Sequence, residues 1–337
     1  MVSKIIKEYK DQKPYQIAPA PDVEHLPKVR GYNFEKPFNF KNFLESYGTT
    51  GFQATHLARA IEIVEEMRKE NATIFLGYTS NMVSSGIREI IKFLVKNKMV
   101  HVLVTTAGGV EEDIIKTLKP FAIGLFNVSG RSMYEKGINR TGNIFIPNDR
   151  YLYFETFINP FLDRLYVEQK QGKVHTPSDI ARELGKEVAS EKNHEDSILY
   201  WAYKNNIPVF CPALTDGSFG DLIYFMKQRH PDFKIEIAGD TKKIVDLALN
   251  AEKAGTIILG SGVAKHFILN ANIFRDGLDY AVYINTAEEY DGSDSGAQTE
   301  EAITWGKIKT TAQHVKVHAD ATLIFPLLVA ATFGKKE

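Results

Sequence analysis

The sequence predicts an α/β fold, a Rossmann-like, doubly wound and mostly parallel sheet with helices on both faces. Segments with helical spacing of apolar residues alternate along the chain with short β-rich runs, and several of these runs are continuously apolar. Such runs are typical of parallel strands that are covered on both faces. Regular alternation, without a repeat or a low-complexity insert, favours one wide doubly wound sheet.

The elements follow this alternation in order. Helices are predicted where apolar residues recur at helical spacing, over Ala54–Asn71, Ser84–Lys98, Glu111–Leu118, Tyr151–Lys170 and Pro177–Asn205. Strands are predicted over Thr73–Leu76, Val100–Val104, Pro208–Phe210, Ile235–Ile237, Thr256–Leu259, Ala281–Ile284 and Val315–Val317. Residues 151–206 interrupt the pattern, and we interpret them as a mostly helical excursion within one domain.

The first 40 residues carry five prolines, a density that prevents regular structure beyond a short amphipathic helix at Ser3–Lys10. We therefore divide the chain into an extended N-terminal arm with that helix, residues 1–39, and a catalytic domain, residues 40–337. A loosely tethered terminus without a role is the alternative interpretation of the arm.

Composition excludes several classes of protein. With 41 basic and 42 acidic side chains among 337 residues, the chain has no overall positive field that would attract nucleic acid or an anionic membrane. A single cysteine, Cys211, cannot form an internal disulfide or a two-thiolate metal site, and we expect no metal. The charged start of the chain and the lack of a long apolar run predict neither a signal peptide nor a membrane span. We expect a cytoplasmic protein.

Polar segments, most of them with glycine, directly follow four of the predicted strands, at residues 77–81, 105–112, 260–262 and 285–286, and another comes shortly after the strand Pro208–Phe210, at residues 215–221. Ligands of open α/β sheets bind at the carboxyl ends of strands, and glycines let backbone N–H groups approach a phosphate. A nucleotide is therefore a reasonable ligand. Each segment alone is more often only a turn, and Gly260–Lys265 lacks the third glycine of the dinucleotide fingerprint.

The segment Asp276–Glu301 contains eight carboxylates and no lysine or arginine. It is either a solvated acidic loop or a pocket for a cation, in which Trp305 would offer a π face to a protonated amine. His266 is a possible general base, although a lone histidine is more often structural. A lysine desolvated beside an aromatic ring can form a Schiff base, but chemistry alone does not separate Lys307 from Lys309.

Several long motifs carry a resemblance to a known family, in consistent order and spacing. They are Phe75–Asn81, Val104–Asp113, Pro212–Ser218, Asp279–Thr286, Tyr290–Ala297 and Trp305–Ile308. With these motifs the chain resembles the deoxyhypusine synthases from about Phe40 onwards. The resemblance implies a homotetramer of Rossmann-like subunits with sites at subunit interfaces. It also implies use of NAD to move the aminobutyl group of spermidine onto one lysine of the translation factor five-A precursor.

The resemblance also assigns residues. It implies NAD contacts from Ser80, Asn81, Met82, Val83, Ser84, Thr106, Ala107, Gly108, Glu112, Asp216, Ser261, Thr286, Ala287, Asp320 and Ala321. It implies polyamine contacts from Glu111, Asp221, His266, Gly292, Ser293, Asp294, Glu301 and Trp305. Lys307 becomes the nucleophile rather than Lys309, His266 becomes the base, and the short helix of the arm is expected to cover the site of another subunit.

Two positions depart from the family pattern, and two other functions remain as alternatives. Ser261 replaces a glycine of many relatives, which could crowd NAD, and Phe267 replaces a frequent second histidine. A homospermidine synthase would give the same aminobutyl group to putrescine and shares the donor half of the site. A non-catalytic regulatory subunit usually lacks the nucleophile, whereas Lys307, His266 and Glu301 are all present here.

Overall fold

A computed structural model describes residues 22–334, so the predicted helix Ser3–Lys10 lies outside the described residues. Within that range the strands are β1 (Thr73–Tyr78), β2 (Val102–Val104), β3 (Ala122–Ile123), β4 (Ile138–Thr141), β5 (Ile144–Pro147), β6 (Val209–Phe210), β7 (Ala254–Leu259), β8 (Leu278–Asn285) and β9 (Ile308–His318). The first helices are α1 (Phe40–Glu45), α2 (Tyr47–Thr50), α3 (Phe52–Lys69), α4 (Asn81–Ser84), α5 (Ile87–Lys96), α6 (Ala107–Leu118), α7 (Gly130–Glu135) and α8 (Asp149–Lys170). They are followed by α9 (Pro177–Val188), α10 (Ile198–Asn205), α11 (Ser218–Arg229), α12 (Ala238–Leu249), α13 (Gly262–Ile273), α14 (Thr299–Thr304) and α15 (Ala321–Thr332).

The main sheet has six parallel strands in the order β6-β2-β1-β7-β8-β9. Counted among these six strands alone, the order is 3-2-1-4-5-6, which is that of the dinucleotide-binding doubly wound folds. The predicted fold class is confirmed. The direction of winding reverses between β1 and β7, so the loops after these two strands flank a crevice where such folds bind ligands.

Side chains of the central strands alternate between two apolar layers, as the two-residue period of a strand requires. Ile74, Leu76 and Tyr78 of β1 pack with the layer that contains α3, α5, α6 and α15, whereas Phe75 packs with α12 and α13 on the other face. All residues of β7 and β8 are buried. Cover on both faces therefore explains the continuously apolar runs that predicted these strands.

The prediction of a strand at Ile235–Ile237 is wrong. Its β-branched residues give it local strand propensity, but Ile237 is exposed and the described backbone pairing of the segment is one bond from Glu236 N–H to His175 O. A short antiparallel sheet in the order β3-β5-β4 was not predicted, because its strands have only two to four residues and β4 carries polar side chains.

The predicted helix Pro177–Asn205 is two helices, α9 and α10. The start of α10 is hydrogen-bonded to a buried carboxylate. Asp113 on α6 accepts hydrogen bonds from Ser197 Oγ (2.6 Å), Ile198 N (2.9 Å) and Leu199 N (2.9 Å). The buried Arg88 donates to the same carboxylate through Nε at 2.8 Å. Loss of one of these partners would leave a buried charge uncompensated, which is strongly destabilising, so the contacts fix the helix whose first turns carry Glu111 and Glu112.

The length and hydropathy of a helix decide whether it could cross a membrane. No helix between residues 22 and 334 is both long enough and apolar enough to cross a membrane.

Candidate active site

The loops after β1 and β7 approach each other closely at the reversal of the sheet. Gly260 has φ +82°, and a Cβ there would lie 2.5 Å from Thr79 Oγ1. A Cβ at Gly108, in the first turn of α6, would lie 2.8 Å from the Cβ of Ser80. Ser80 N–H donates to Thr106 Oγ1 at 3.1 Å. The close backbone approach in this crevice therefore requires glycine at positions 108 and 260. The crevice also lies at the start of α6, a 12-residue helix whose first backbone N–H groups suit a phosphate.

Ser261 does not strain the loop after β7. Its φ of −164° is ordinary extended backbone, and its hydroxyl lies 3.5 Å from the backbone oxygen of Asp294. Phe267, the second departure from the family pattern, packs in the helix layer 6.1 Å from the ring of Phe210.

Two adjacent carboxyls of α6 lie beside this crevice. Glu111 is buried and accepts a hydrogen bond from Phe219 N at 2.7 Å, at the start of α11. Burial raises the pKa of Glu111, and the nearby Asp221 and Asp216 raise it further. Glu112 bonds to Ser84 Oγ, and burial raises its pKa to about 7. We call Ser84, Glu111, Glu112, Asp216 and Asp221 the Glu111 group.

The raised pKa of Glu112 predicts a pH-dependent effect of Glu112→Gln. The carboxyl binds its proton more tightly in the folded than in the unfolded chain, so wild type loses stability as pH rises from about 4.5 through 7. We expect the free energy of unfolding of the variant, relative to wild type, to increase by on the order of 2 kcal/mol from pH 5 to pH 8. Chemical denaturation at both pH values measures this change. Glu65→Gln, at an exposed position, is the control, and an equal difference at both pH values would contradict the prediction.

The second part of the candidate site is a small cavity that Lys307 lines, which we call the Lys307 cavity. Only 9% of the residue is exposed, and its Nζ lies 5.7 Å from the centre of the Trp305 ring. The volume is about 20 Å³ and the lining is Lys265, Leu269, Asp294, Ala297, Gln298, Glu301, Ala302, Trp305 and Lys307. This is space for about one water molecule, so the cavity of one chain does not enclose a polyamine.

Lys309 has a different environment from Lys307. Its Nζ lies 2.7 Å from Asp279 Oδ1 and forms an ion pair with that carboxylate. Lys307 forms no salt bridge with any residue from 22 to 334. An amine beside an aromatic ring and without a paired carboxylate is the better nucleophile, so the geometry favours Lys307.

The position of Lys307 relative to the sheet differs from that of the predicted NAD contacts. Lys307 immediately precedes β9 and its backbone oxygen accepts from Leu278 N, the first residue of β8, at 3.0 Å. It therefore lies at the amino edge of the sheet, whereas most of the predicted NAD contacts follow strands or begin helices at the carboxyl edge. Its side chain runs beside α14 towards Asp294 and Glu301.

The remaining predicted NAD residues are distributed over the carboxyl ends of the strands. Asn81, Met82 and Val83 lie in α4, in which the side chains of Met82 and Val83 are buried in the core. Ala107 begins α6, and Thr286 and Ala287 follow β8. Asp320 caps α15 by accepting from Thr322 N at 2.6 Å, and the buried Ala321 is the first residue of that helix.

The remaining predicted polyamine residues are exposed. Gly292, with φ +70°, and Ser293 lie in the loop between β8 and α14. His266 is on α13, where Nδ1 lies 3.1 Å from Asn270 Nδ2. The predicted polyamine contacts therefore fall into two groups, with Glu111 and Asp221 in the first and Asp294, Glu301 and Trp305 around Lys307 in the second. Among residues 22–334 no hydrogen bond joins Glu111 or Glu112 to the Lys307 cavity.

Two functional candidates were not predicted from the sequence, Lys265 and Lys316. Both are buried and donate to backbone oxygens of the loop between β8 and α14. Burial lowers the pKa of each ammonium group. The available signal was that each lies among apolar neighbours, in Val263–Ile268 and Val315–Val317.

The strand order and the crevice at its reversal define an α/β protein of the dinucleotide-binding type of fold, with a buried lysine beside an acidic loop. The sequence profile of the deoxyhypusine synthase family matches residues 42–332. The chain belongs to the deoxyhypusine synthase family, and it is an enzyme of that family.

Individual relatives agree with this membership over nearly the whole chain. Deoxyhypusine synthase of Musa acuminata is 49% identical over 94% of this chain and 90% of its own length. Deoxyhypusine synthase of Kluyveromyces lactis is 46% identical over 95% of each chain. A crystal structure of a candidate deoxyhypusine synthase from Entamoeba histolytica is 31% identical, covers 90% of this chain and 96% of its own, and superposes with a TM-score of 0.67.

Proposed function

We propose that the protein transfers the aminobutyl group of spermidine to one lysine of the translation factor five-A precursor, with NAD as cofactor and an imine on Lys307 as intermediate. Family membership supports this overall reaction. The observation that carries the chemistry is Lys307, a buried amine next to the Trp305 ring and without a salt bridge to any residue from 22 to 334, in a cavity that Asp294 and Glu301 also line.

The residues at the sheet reversal fit NAD. Glycines at 108 and 260 leave room for close backbone approach, and the helix start at Ala107 suits a pyrophosphate. The Glu112 carboxyl, with a pKa of about 7, can accept or donate a hydrogen bond to a ribose hydroxyl at neutral pH. When bound, NAD supplies a hydride acceptor that converts spermidine to an imine and later returns the hydride to the final product.

The chain's own residues would bind the amine and exchange the imine. Asp294 and Glu301 would pair with ammonium groups, and the Trp305 ring would cover the chain between them. Lys307 Nζ attacks the imine carbon, the carbon–nitrogen bond to diaminopropane breaks, and the aminobutyl group remains as an imine on Lys307. The acceptor lysine then displaces Lys307 by the same exchange.

His266 would move the proton that accompanies oxidation of the amine. Asn270, whose Nδ2 lies 3.1 Å from His266 Nδ1, orients the ring on α13. His266 is exposed on α13 and can reach a ligand that enters from solvent. Water must be excluded once the imine forms, because free imines hydrolyse.

We propose further that the site is completed between subunits of a homotetramer. The Glu111 group and the Lys307 cavity share no hydrogen bond among the described residues, and the cavity alone is too small for spermidine. A second subunit that brings its Glu111 group to the Lys307 cavity would supply both the missing wall and the missing carboxylates.

The carboxylates of the Lys307 cavity give a test of polyamine binding. Glu301→Gln and Asp294→Asn should weaken spermidine binding tens-fold or more, since the bound polyamine and the second subunit would desolvate these pairs, and loss of one partner of such a pair costs roughly 2 to 5 kcal/mol. NAD binding should change much less, and calorimetric titration of both ligands measures the contrast. Glu300→Gln, whose side chain is 77% exposed and faces His314, is the matched control. Equal weakening of both ligands would show that the acidic segment serves folding or the cofactor.

The function as a whole is tested by incubating the enzyme with NAD, spermidine labelled in the aminobutyl group, and either the precursor protein or putrescine. We expect label on one lysine of the precursor and little label in homospermidine. Efficient transfer to putrescine alone would instead establish the homospermidine synthase alternative. Absence of transfer to either acceptor would refute the proposed reaction.

A further inference from the structure

Two buried lysines contact one loop from two different elements. We call residues 286–298, between β8 and α14, the acidic loop. Lys265, on α13, donates to the backbone oxygens of Asp294 and, at 3.4 Å, of Ala297. Lys316, on β9, donates to the backbone oxygens of Ala287 at 2.9 Å and Gly296 at 2.6 Å. Four carbonyl groups of one loop are therefore held by two ammonium groups.

Because both lysines are buried, their ammonium groups depend on these hydrogen bonds in place of water. Lys265 is 1% exposed and Lys316 is 6% exposed. Lysine is rarely buried without a partner, because an ammonium group loses much of its hydration energy. The nearest carboxylate oxygen of Lys265 is Asp294 Oδ2 at 3.8 Å, and Lys316 has no salt bridge within residues 22–334. Backbone oxygens of the acidic loop are therefore the main partners of both charges.

The acidic loop contains no helix or strand, so it lacks their regular backbone hydrogen bonds. The hydrogen bonds from Lys265 and Lys316 hold its shape instead. Its two ends lie against each other, and a Cβ at Gly296 would overlap the backbone oxygen of Glu288 at 1.5 Å. With its carbonyl groups turned inward to the lysines, the loop leaves Glu288, Glu289 and Asp291 exposed. Asp294, whose backbone Lys265 holds, lines the Lys307 cavity.

We infer that Lys265 and Lys316 are positioning residues, which hold the acidic loop in the shape that presents Asp294 to the polyamine. The ligand named here rests on the proposed function, whereas the support of the loop does not. Lys316 holds the base of the loop at Ala287 and Gly296, and Lys265 holds the part that faces Lys307. Although Lys265 also lines the Lys307 cavity, its donation to the loop makes it a support rather than a second nucleophile.

Hydrogen exchange of the protein without ligands tests the support directly. In Lys265→Met and in Lys316→Met, amides of residues 286–298 should exchange about tenfold faster or more than in wild type, while β7 amides keep their rates. Loss of the ammonium group leaves the buried carbonyl groups unsatisfied, which favours local opening. Lys309→Met, a change of the same kind on the same strand as Lys316, should leave the loop rates unchanged.

Ligand binding tests whether the support matters for the site. Lys265→Met should raise the dissociation constant of spermidine about tenfold and that of NAD by less than about threefold. If Lys265→Met does not fold, Lys265→Gln, which keeps an amide donor without the charge, should show the same changes to a smaller degree. A folded variant with wild-type exchange in the loop would refute the inference, as would equal weakening of NAD and spermidine. If wild type bound no spermidine, the proposed function would fail while the exchange rates still decided the role of the lysines.

Discussion

Replacing Lys307 with arginine should abolish aminobutyl transfer. The guanidinium group stays protonated at any accessible pH and cannot attack a carbon to form an imine. Spermidine-dependent formation of NADH should persist at a low level, because removal of hydride precedes the attack. Transfer is measured by label in the acceptor, and NADH by its absorbance.

The matched control is Lys309→Arg, on the ion pair with Asp279. Arginine preserves that pair, so this variant should transfer at close to the wild-type rate. Transfer by Lys307→Arg at a wild-type rate would remove Lys307 from the mechanism, and loss of activity in Lys309→Arg alone would move the nucleophile to Lys309.

Two impaired variants should restore activity when they assemble together. If each site combines the Glu111 group of one subunit with the Lys307 cavity of another, equal mixing of Glu111→Gln and Lys307→Arg chains leaves about a quarter of the sites intact. Coexpression of the two chains, followed by the transfer assay, should therefore give about a quarter of the wild-type rate.

A second pair of variants controls for effects of mixing itself. Glu301→Gln and Lys307→Arg both change the Lys307 cavity, so every mixed site keeps at least one of the two changes and no activity should be regained. Restoration by this pair, or failure of the first pair to restore activity, would contradict a site shared between subunits.

The central strands could be predicted from the sequence because burial on both faces leaves a simple signal. β7 and β8 are buried along their whole length and mostly apolar, and each was predicted within a few residues of its observed bounds. Ile235–Ile237 carries the same β-branched signal but has no neighbouring strand to pair with. Pairing partners are a tertiary property, which local propensity does not contain.

The site could be predicted only in part. The loops after the strands were identified because glycine and polar residues mark them, and the close approach of Gly260 to Thr79 gives that pattern a physical reason. The relation between Glu111 and Lys307 could not be read from periodicity, because it depends on segments that are distant in the sequence. Lys265 and Lys316 were missed because lysine is normally exposed.

The most direct test of the central claim is to trap the intermediate. Wild-type enzyme is incubated with NAD and labelled spermidine without acceptor, reduced with borohydride, digested, and analysed by mass spectrometry for the modified lysine. The account predicts a reduced butylamine adduct on Lys307. An adduct on Lys309 or Lys265, with Lys307 unmodified, would contradict it.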